Sequence, residues 1–201
     1  KVKSRTLANL SEWPKPKIDA LRRVLQGEVL VPVEQVFTIE RSLPHGHVAA
    51  VLGSIRRLEL DRMVAAKATR DRDLVIAMVV ARLIDPRSKL ALAQSLGQDT
   101  SLHTLGEALG IESASEDQLY EAMDWLLSRQ SKIEAALAKR HLSEGTLALY
   151  DVTSTYFEGR TCPLARLGHS RDGKKDKLQI VFGLLCDPEG CPVAVEVFEG
   201  N

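Results

Sequence analysis

The stretch from Thr146 to Asn201 constrains this chain more than any other, because it holds three β-type runs and a carboxylate inside the first of them. That run is Thr146-Leu147-Ala148-Leu149-Tyr150-Asp151-Val152-Thr153-Ser154-Thr155-Tyr156-Phe157, rich in β-branched and aromatic residues. Side chains alternate along a strand, so Leu147, Leu149, Asp151 and Thr153 share one face. Burying an unpaired carboxylate in an apolar strand costs several kcal/mol. The reading therefore expects an Arg, a Lys or a metal ion opposite Asp151.

Leu178 to Cys186 forms the second run, and Cys191 to Phe198 the third. Between them, Asp187-Pro188-Glu189-Gly190 has Pro and Gly where a tight turn wants them. These two runs predict a hairpin, and the whole stretch predicts an antiparallel meander of three strands. The link from Glu158 to Lys177 is basic, with Arg160, Arg166, Arg171, Lys174, Lys175 and Lys177 against Glu158, Asp172 and Asp176.

Upstream the periodicity is helical. Ile18, Leu21, Val24 and Leu25 recur at helix spacing after the break at Trp13-Pro14-Lys15-Pro16, and Gly27 closes that segment. Val29 to Ile39 fits a short strand or an extended linker equally. Pro44-His45-Gly46-His47 marks a turn, and its two histidines read as a helix start rather than a metal site. Helices are then expected from Val48 onward, over Asp71–Ile84, Ser88–Leu96 and Leu102–Leu109. A long fifth is opened by the capping box Ser115-Glu116-Asp117-Gln118 and continues through Ile133 and Leu137 to about His141. The segment from Asp71 to Ile84 is nearly all apolar at its centre, which predicts burial.

Leu102–Gly110 followed by the helix from Glu116 fits a helix-turn-helix DNA reader loosely. The charge argues against it: Glu116, Asp117, Glu121 and Asp124 would face phosphates and be repelled. A packing helix is the expectation.

Composition is that of an ordinary globular protein, 44% hydrophobic and 27% charged. Lys plus Arg equals Asp plus Glu at 27 each, so bulk charge makes no argument for nucleic acid. Distribution says more: residues 1–30 hold seven basic and three acidic side chains, and residues 178–201 hold four acids and no Lys or Arg. Three cysteines, Cys162, Cys186 and Cys191, form no CxxC pair, which argues against a zinc site. Cys186 and Cys191 flank the hairpin turn and are expected as free thiols rather than a disulfide. No signal peptide is visible, and the longest apolar stretch is too short to span a bilayer. The expectation is a cytoplasmic protein.

Asp151-Val152-Thr153 with Tyr156-Phe157, then Gly168-His169-Ser170-Arg171-Asp172, Asp176, Gln179, Pro192 and Phe198-Glu199-Gly200-Asn201, resemble bacterial insertion-sequence transposases of the DDE class. Arg5-Thr6-Leu7-Ala8-Asn9-Leu10 resembles the N-terminal region of the same group. The resemblance implies a ribonuclease-H-like core whose first three strands form an antiparallel meander, with the first catalytic Asp midway along the first strand. Asp151 stands at that position. The implied fold is α+β: a helical region over residues 1–142, then an incomplete ribonuclease-H-like core from residue 146 to 201. The chain begins without Met and stops at Gly200-Asn201, which leads into a helix in that family, so it reads as a fragment at both ends.

The implied chemistry is cutting and joining of DNA by phosphoryl transfer. In it, three carboxylates hold two Mg²⁺ (or Mn²⁺) ions about 3.5–4 Å apart. Asp151 would be catalytic and a metal ligand. The implied partners are double-stranded DNA (element ends and target) and further copies of the chain, with no membrane. Arg171, Lys174 and Lys175 are the candidates for touching phosphate, against a solvated charged loop. The second Asp and the Glu of the triad fall beyond residue 201 in the family. Asp172, Asp176, Glu196 and Glu199 are not promoted to fill their places: the two Asp are expected to pair with Arg171 and Lys174, and Glu196 to face solvent. Two other functions stay open, another nuclease with this core and a non-catalytic DNA-binding protein in which Asp151 pairs with an Arg or Lys.

Overall fold

A computed structural model describes residues 4–6, 8–32, 36–37, 39–145, 148–168, 173–174 and 176–200. The chain falls into two compact units, Lys1–Ser42 and Leu43–Asn201. In the first, helix α1 (Lys15–Leu25) starts behind Pro14, with proline again in its first turn, where a missing N–H costs nothing. It buries no residue. Among the described residues from Val29 to Ile39 no strand occurs, and Val36 is helical, so neither a strand nor a wholly extended linker is found there.

The second unit is α+β in helix-then-strand order. Its helices are α2 (Gly46–Arg57), α3 (Leu60–Val64), α4 (Arg70–Ile84), α5 (Lys89–Leu96), α6 (Leu105–Ala108), α7 (Glu116–Leu127) and α8 (Gln130–His141). His45 is the N-cap of α2, and Val48, Leu52 and Ile55 form its buried stripe. Thr69 caps α4 by accepting from the Arg72 amide, and Asp71 and Asp73 sit in the first turn, where the helix dipole favours them. Ser88 caps α5 on the Ala91 amide at 3.2 Å. Ser115 and Gln118 close a reciprocal box on α7, each side chain bonding the other's backbone amide at 3.1 Å.

Three helical expectations are corrected. The segment expected as a helix over Leu102–Leu109 is helical only from Leu105, because the Thr104 amide is drawn back to the Pro44 carbonyl at 3.2 Å. The long fifth helix is two helices, broken at Ser128-Arg129. The stretch from Val48 to Leu142 contains a left-handed residue, Glu59 at φ 55°, which separates α2 from α3.

The core is helical. Val48, Leu52 and Ile55 of α2 meet Leu74 to Ala81 of α4, Leu92 and Leu96 of α5, Leu105 of α6, and Leu119 and Ala122 of α7. Burying a side chain the size of Leu119 stabilises by about 1.5–3 kcal/mol. Gly106 lets α6 lie against the end of α5: a Cβ there would come within 2.6 Å of the Leu96 carbonyl oxygen. The outward face of α7 is acidic, with Asp117, Glu121 and Asp124 exposed. That is the packing-helix arrangement. No helix is long and apolar enough to cross a membrane among the described residues.

The sheet is antiparallel and has four strands: β1 (Leu149–Phe157), β2 (Arg166–Leu167), β3 (Leu178–Cys186) and β4 (Pro192–Glu199). β3 is central, with β1 along its length from Leu149↔Cys186 to Phe157↔Leu178. β4 pairs with it from Ile180↔Glu199 to Cys186↔Pro192. These three strands are the expected meander. β2, inside the basic link, is an addition that takes up the start of β3 through Arg166↔Gln179 and Leu167↔Leu178. α8 packs on β4. The three cysteines are free, as expected.

Candidate functional site

Asp151 is the third residue of β1, directly across from Leu184 on β3, which in turn faces Val195 on β4. The pairing of β1 with β3 is continuous, so Asp151, Leu149 and Thr153 share one sheet face, and Tyr150, Val152 and Tyr156 share the other. The expectation of a buried carboxylate needing a cation opposite it is overturned. Asp151 is exposed, and so are its neighbours Leu149, Tyr150 and Val152. The reason is its strand: β1 is an edge strand, and the helices that reach this face pack at the β4 end. Water solvates the carboxylate, so no Arg or Lys is required.

On the same face, α7 and α8 meet the sheet across an open groove of about 510 Å³. Met123, Leu127, Ile133 and Leu137 line the helical side, and Leu184 and Val195 the sheet side. Leu184 thus joins the groove wall to Asp151. The groove is predominantly apolar, and the two charged side chains that line it, Asp124 and Glu134, are acidic and do not suit phosphate.

The basic link lies elsewhere. The Lys174 ammonium sits 3.9 Å from the centre of the Tyr156 ring, a cation–π contact. Tyr156 belongs to the face opposite Asp151, so Lys174 and Asp151 are not brought together. Arg171 and Lys175, together with Asp172, lie outside the described residues. Lys177 reaches Glu158 at 3.9 Å. Gln179, only 1% exposed, anchors the end of the link: its Nε2 donates to the Lys177 carbonyl at 3.0 Å and the Lys174 carbonyl at 3.4 Å. Glu196 and Glu199 are exposed, and Glu199 pairs with Arg166 at 3.1 Å.

Mg²⁺ wants near-octahedral oxygen ligation, with carboxylates supplying part of it and water the rest. Asp151 belongs to no group of three potential ligands among the described residues. One carboxylate does not make a magnesium site, so the described residues do not by themselves fit the ion that the resemblance implies.

Two polar groups escape the sequence reading. The first is His103, 4% exposed, which accepts from the Leu105 amide at Nδ1 while its Nε2 has no partner among the described residues. His47 packs edge-on against it at 5.8 Å, and burial, then His47, push the His103 imidazole below the usual histidine range. His45 Nδ1 lies 2.7 Å from Thr104 Oγ1. The second is at the β3–β4 turn. Asp187 Oδ1 accepts from the Cys191 amide at 2.8 Å and the Glu189 amide at 2.9 Å, and Oδ2 faces His141 Nδ1 at 3.2 Å. The Cys191 amide contributes most to holding the Asp187 carboxyl below the usual carboxylate range. Asp-Pro-Glu-Gly signals this turn in the sequence; nothing in the sequence signals His141, 46 residues earlier.

No protein-family profile, curated protein or solved structure matches the chain.

Proposed function

We propose that this chain belongs to a DDE-class insertion-sequence transposase that cuts and joins element ends by Mg²⁺-dependent phosphoryl transfer, with Asp151 as its first catalytic carboxylate. One observation carries the reading: a lone Asp on the outer strand of an antiparallel meander, third of its nine residues and so nearer the strand start than the expected midpoint, its carboxylate exposed and its backbone held in register by β3. A carboxylate that must hold a metal ion against a DNA phosphate has to be both rigidly placed and open to solvent, and a paired strand with an uncovered face provides both. The helices-then-meander order agrees with a ribonuclease-H-like core in which α8 covers the β4 end. The remaining carboxylates belong, on this reading, to sequence outside these 201 residues.

The test is a paired assay on labelled duplex DNA carrying the element's ends, with the protein expressed from its whole open reading frame. A transposase both nicks the strand and transfers the freed 3′-hydroxyl to a target duplex. Nicking without transfer would replace this reading with that of a plain nuclease. Duplex binding with neither reaction would leave a DNA-binding protein.

A further inference from the structure

We propose that His141, Asp187 and Cys191 form a site for a borderline-soft divalent metal ion, Zn²⁺ by class, that pins the end of α8 to the β3–β4 hairpin. The three donor atoms, an imidazole nitrogen, a carboxylate oxygen and a thiol sulfur, all lie within 4.8 Å of one another. His141 Nδ1 and Asp187 Oδ2 are 3.2 Å apart. Two nitrogen or oxygen ligands of a tetrahedral zinc, bonded at about 2.0–2.1 Å, stand roughly 3.3 Å apart. The pair is therefore already at ligand spacing.

Without an ion, Asp187 is hydrogen-bonded to His141 and to the Cys191 thiol. Three further features favour an ion. The Asp187 side chain is only 5% exposed, and its Oδ1 is fully used by the Glu189 and Cys191 amides. Those bonds aim Oδ2 at His141, the outer-shell orientation that metal-binding carboxylates require. His141 is the last residue of α8, where the dipole favours positive charge. The His141 side chain is 28% exposed, which leaves a path of entry. Imidazole plus thiol select zinc-like ions over Mg²⁺ or Ca²⁺.

A thiol binds such an ion as its thiolate, so it releases its proton to solvent as the metal–sulfur bond forms. Binding should therefore strengthen as pH rises. Nothing in this proposal depends on Asp151 or on DNA.

Cobalt(II) serves as the probe because its thiolate bond is coloured. Co²⁺ titrated into the reduced, metal-free 201-residue chain should give a thiolate-to-cobalt charge-transfer band that saturates at one equivalent and disappears on adding Zn²⁺. Cys191→Ser should abolish the band, and His141→Gln should weaken Co²⁺ binding at least tenfold, both with the far-ultraviolet circular dichroism of the parent. Cys162→Ser should keep the band. Absence of the band in the folded parent chain would overturn the proposal, as would its survival in Cys191→Ser or its loss in Cys162→Ser.

Discussion

Glu134 on α8 accepts the backbone amide of Val195 on β4 at 3.1 Å. Gln130, one turn earlier, donates to the Val195 carbonyl at 2.8 Å and to Glu134 at 2.8 Å. Val195 lies opposite Leu184 in the register, so these two side chains occupy the polar groups that β4 turns away from β3. A helix thus closes one edge of the sheet with side chains, where an open edge would invite another strand. Val195 is two strand spacings from Asp151, about 10 Å, and Glu134 lies beyond Val195 on the outer side of β4. It guards the edge and is not a partner for Asp151.

Removing that closure has two readouts. Glu134→Ala should destabilise the folded chain by about 0.5–1.5 kcal/mol, the usual net worth of one hydrogen bond. It should also raise concentration-dependent association by uncovering the β4 edge. Urea unfolding and sedimentation velocity check the pair. Parent-like behaviour in both would mean the contact does no edge protection.

Leu119 tests the assignment of α7 as a packing helix. Leu119 is fully buried among α4, α5 and α7, so Leu119→Ala should cost about 2–5 kcal/mol in chemical denaturation. Ser115→Ala, which removes half the capping box, should cost about 0.5–2 kcal/mol. An unchanged midpoint for Leu119→Ala would detach α7 from the core.

His103 sets a pH dependence whose sign follows from its burial. Its folded-state pKa is lowered below 6.5, so the unfolded chain takes up the proton first as pH falls. The stability contribution of the neutral ring is whole above about pH 6.5 and declines as pH falls toward the folded pKa. The difference in unfolding free energy between the parent and His103→Leu should therefore shift against the parent from pH 7.5 to 5.5. A pH-independent difference would contradict the burial argument.

The basic link gives a salt prediction. If Arg171, Lys174 and Lys175 meet phosphate, neutralising all three should lower the slope of log affinity against log salt by up to about 0.9 per lost contact on duplex DNA. Lys174 already lies over Tyr156, so its share should be the smallest. An identical slope in the triple variant would make the link a solvated loop.

What the sequence showed depended on how local the cause was. The β3 run from Leu178 to Cys186 and the Ser115–Gln118 box were legible because composition and a three-residue spacing decide them. The exposure of Asp151 was not. Leu149, Tyr150 and Val152 look the same in a sequence whether their strand is central or at an edge, and only the sheet order places β1 outside. The truncation of the expected Leu102–Leu109 helix follows from a hydrogen bond to Pro44, some sixty residues earlier, which no local pattern encodes. The His141–Asp187 contact and the Glu134 edge contact are likewise tertiary, joining α8 to a hairpin far along the chain.

The most direct test of the proposed function is Asp151→Asn in the protein expressed from its whole open reading frame. Asn keeps the shape and loses the charge. The substitution should reduce Mg²⁺-dependent strand cleavage and transfer by at least a thousandfold, a barrier increase of about 4 kcal/mol, while duplex affinity stays within about twofold. Because Asp151 is exposed and without a charged partner among the described residues, the variant should unfold at the parent's midpoint. Cleavage and transfer at the parental rate by Asp151→Asn would contradict the assignment of Asp151 as a catalytic carboxylate.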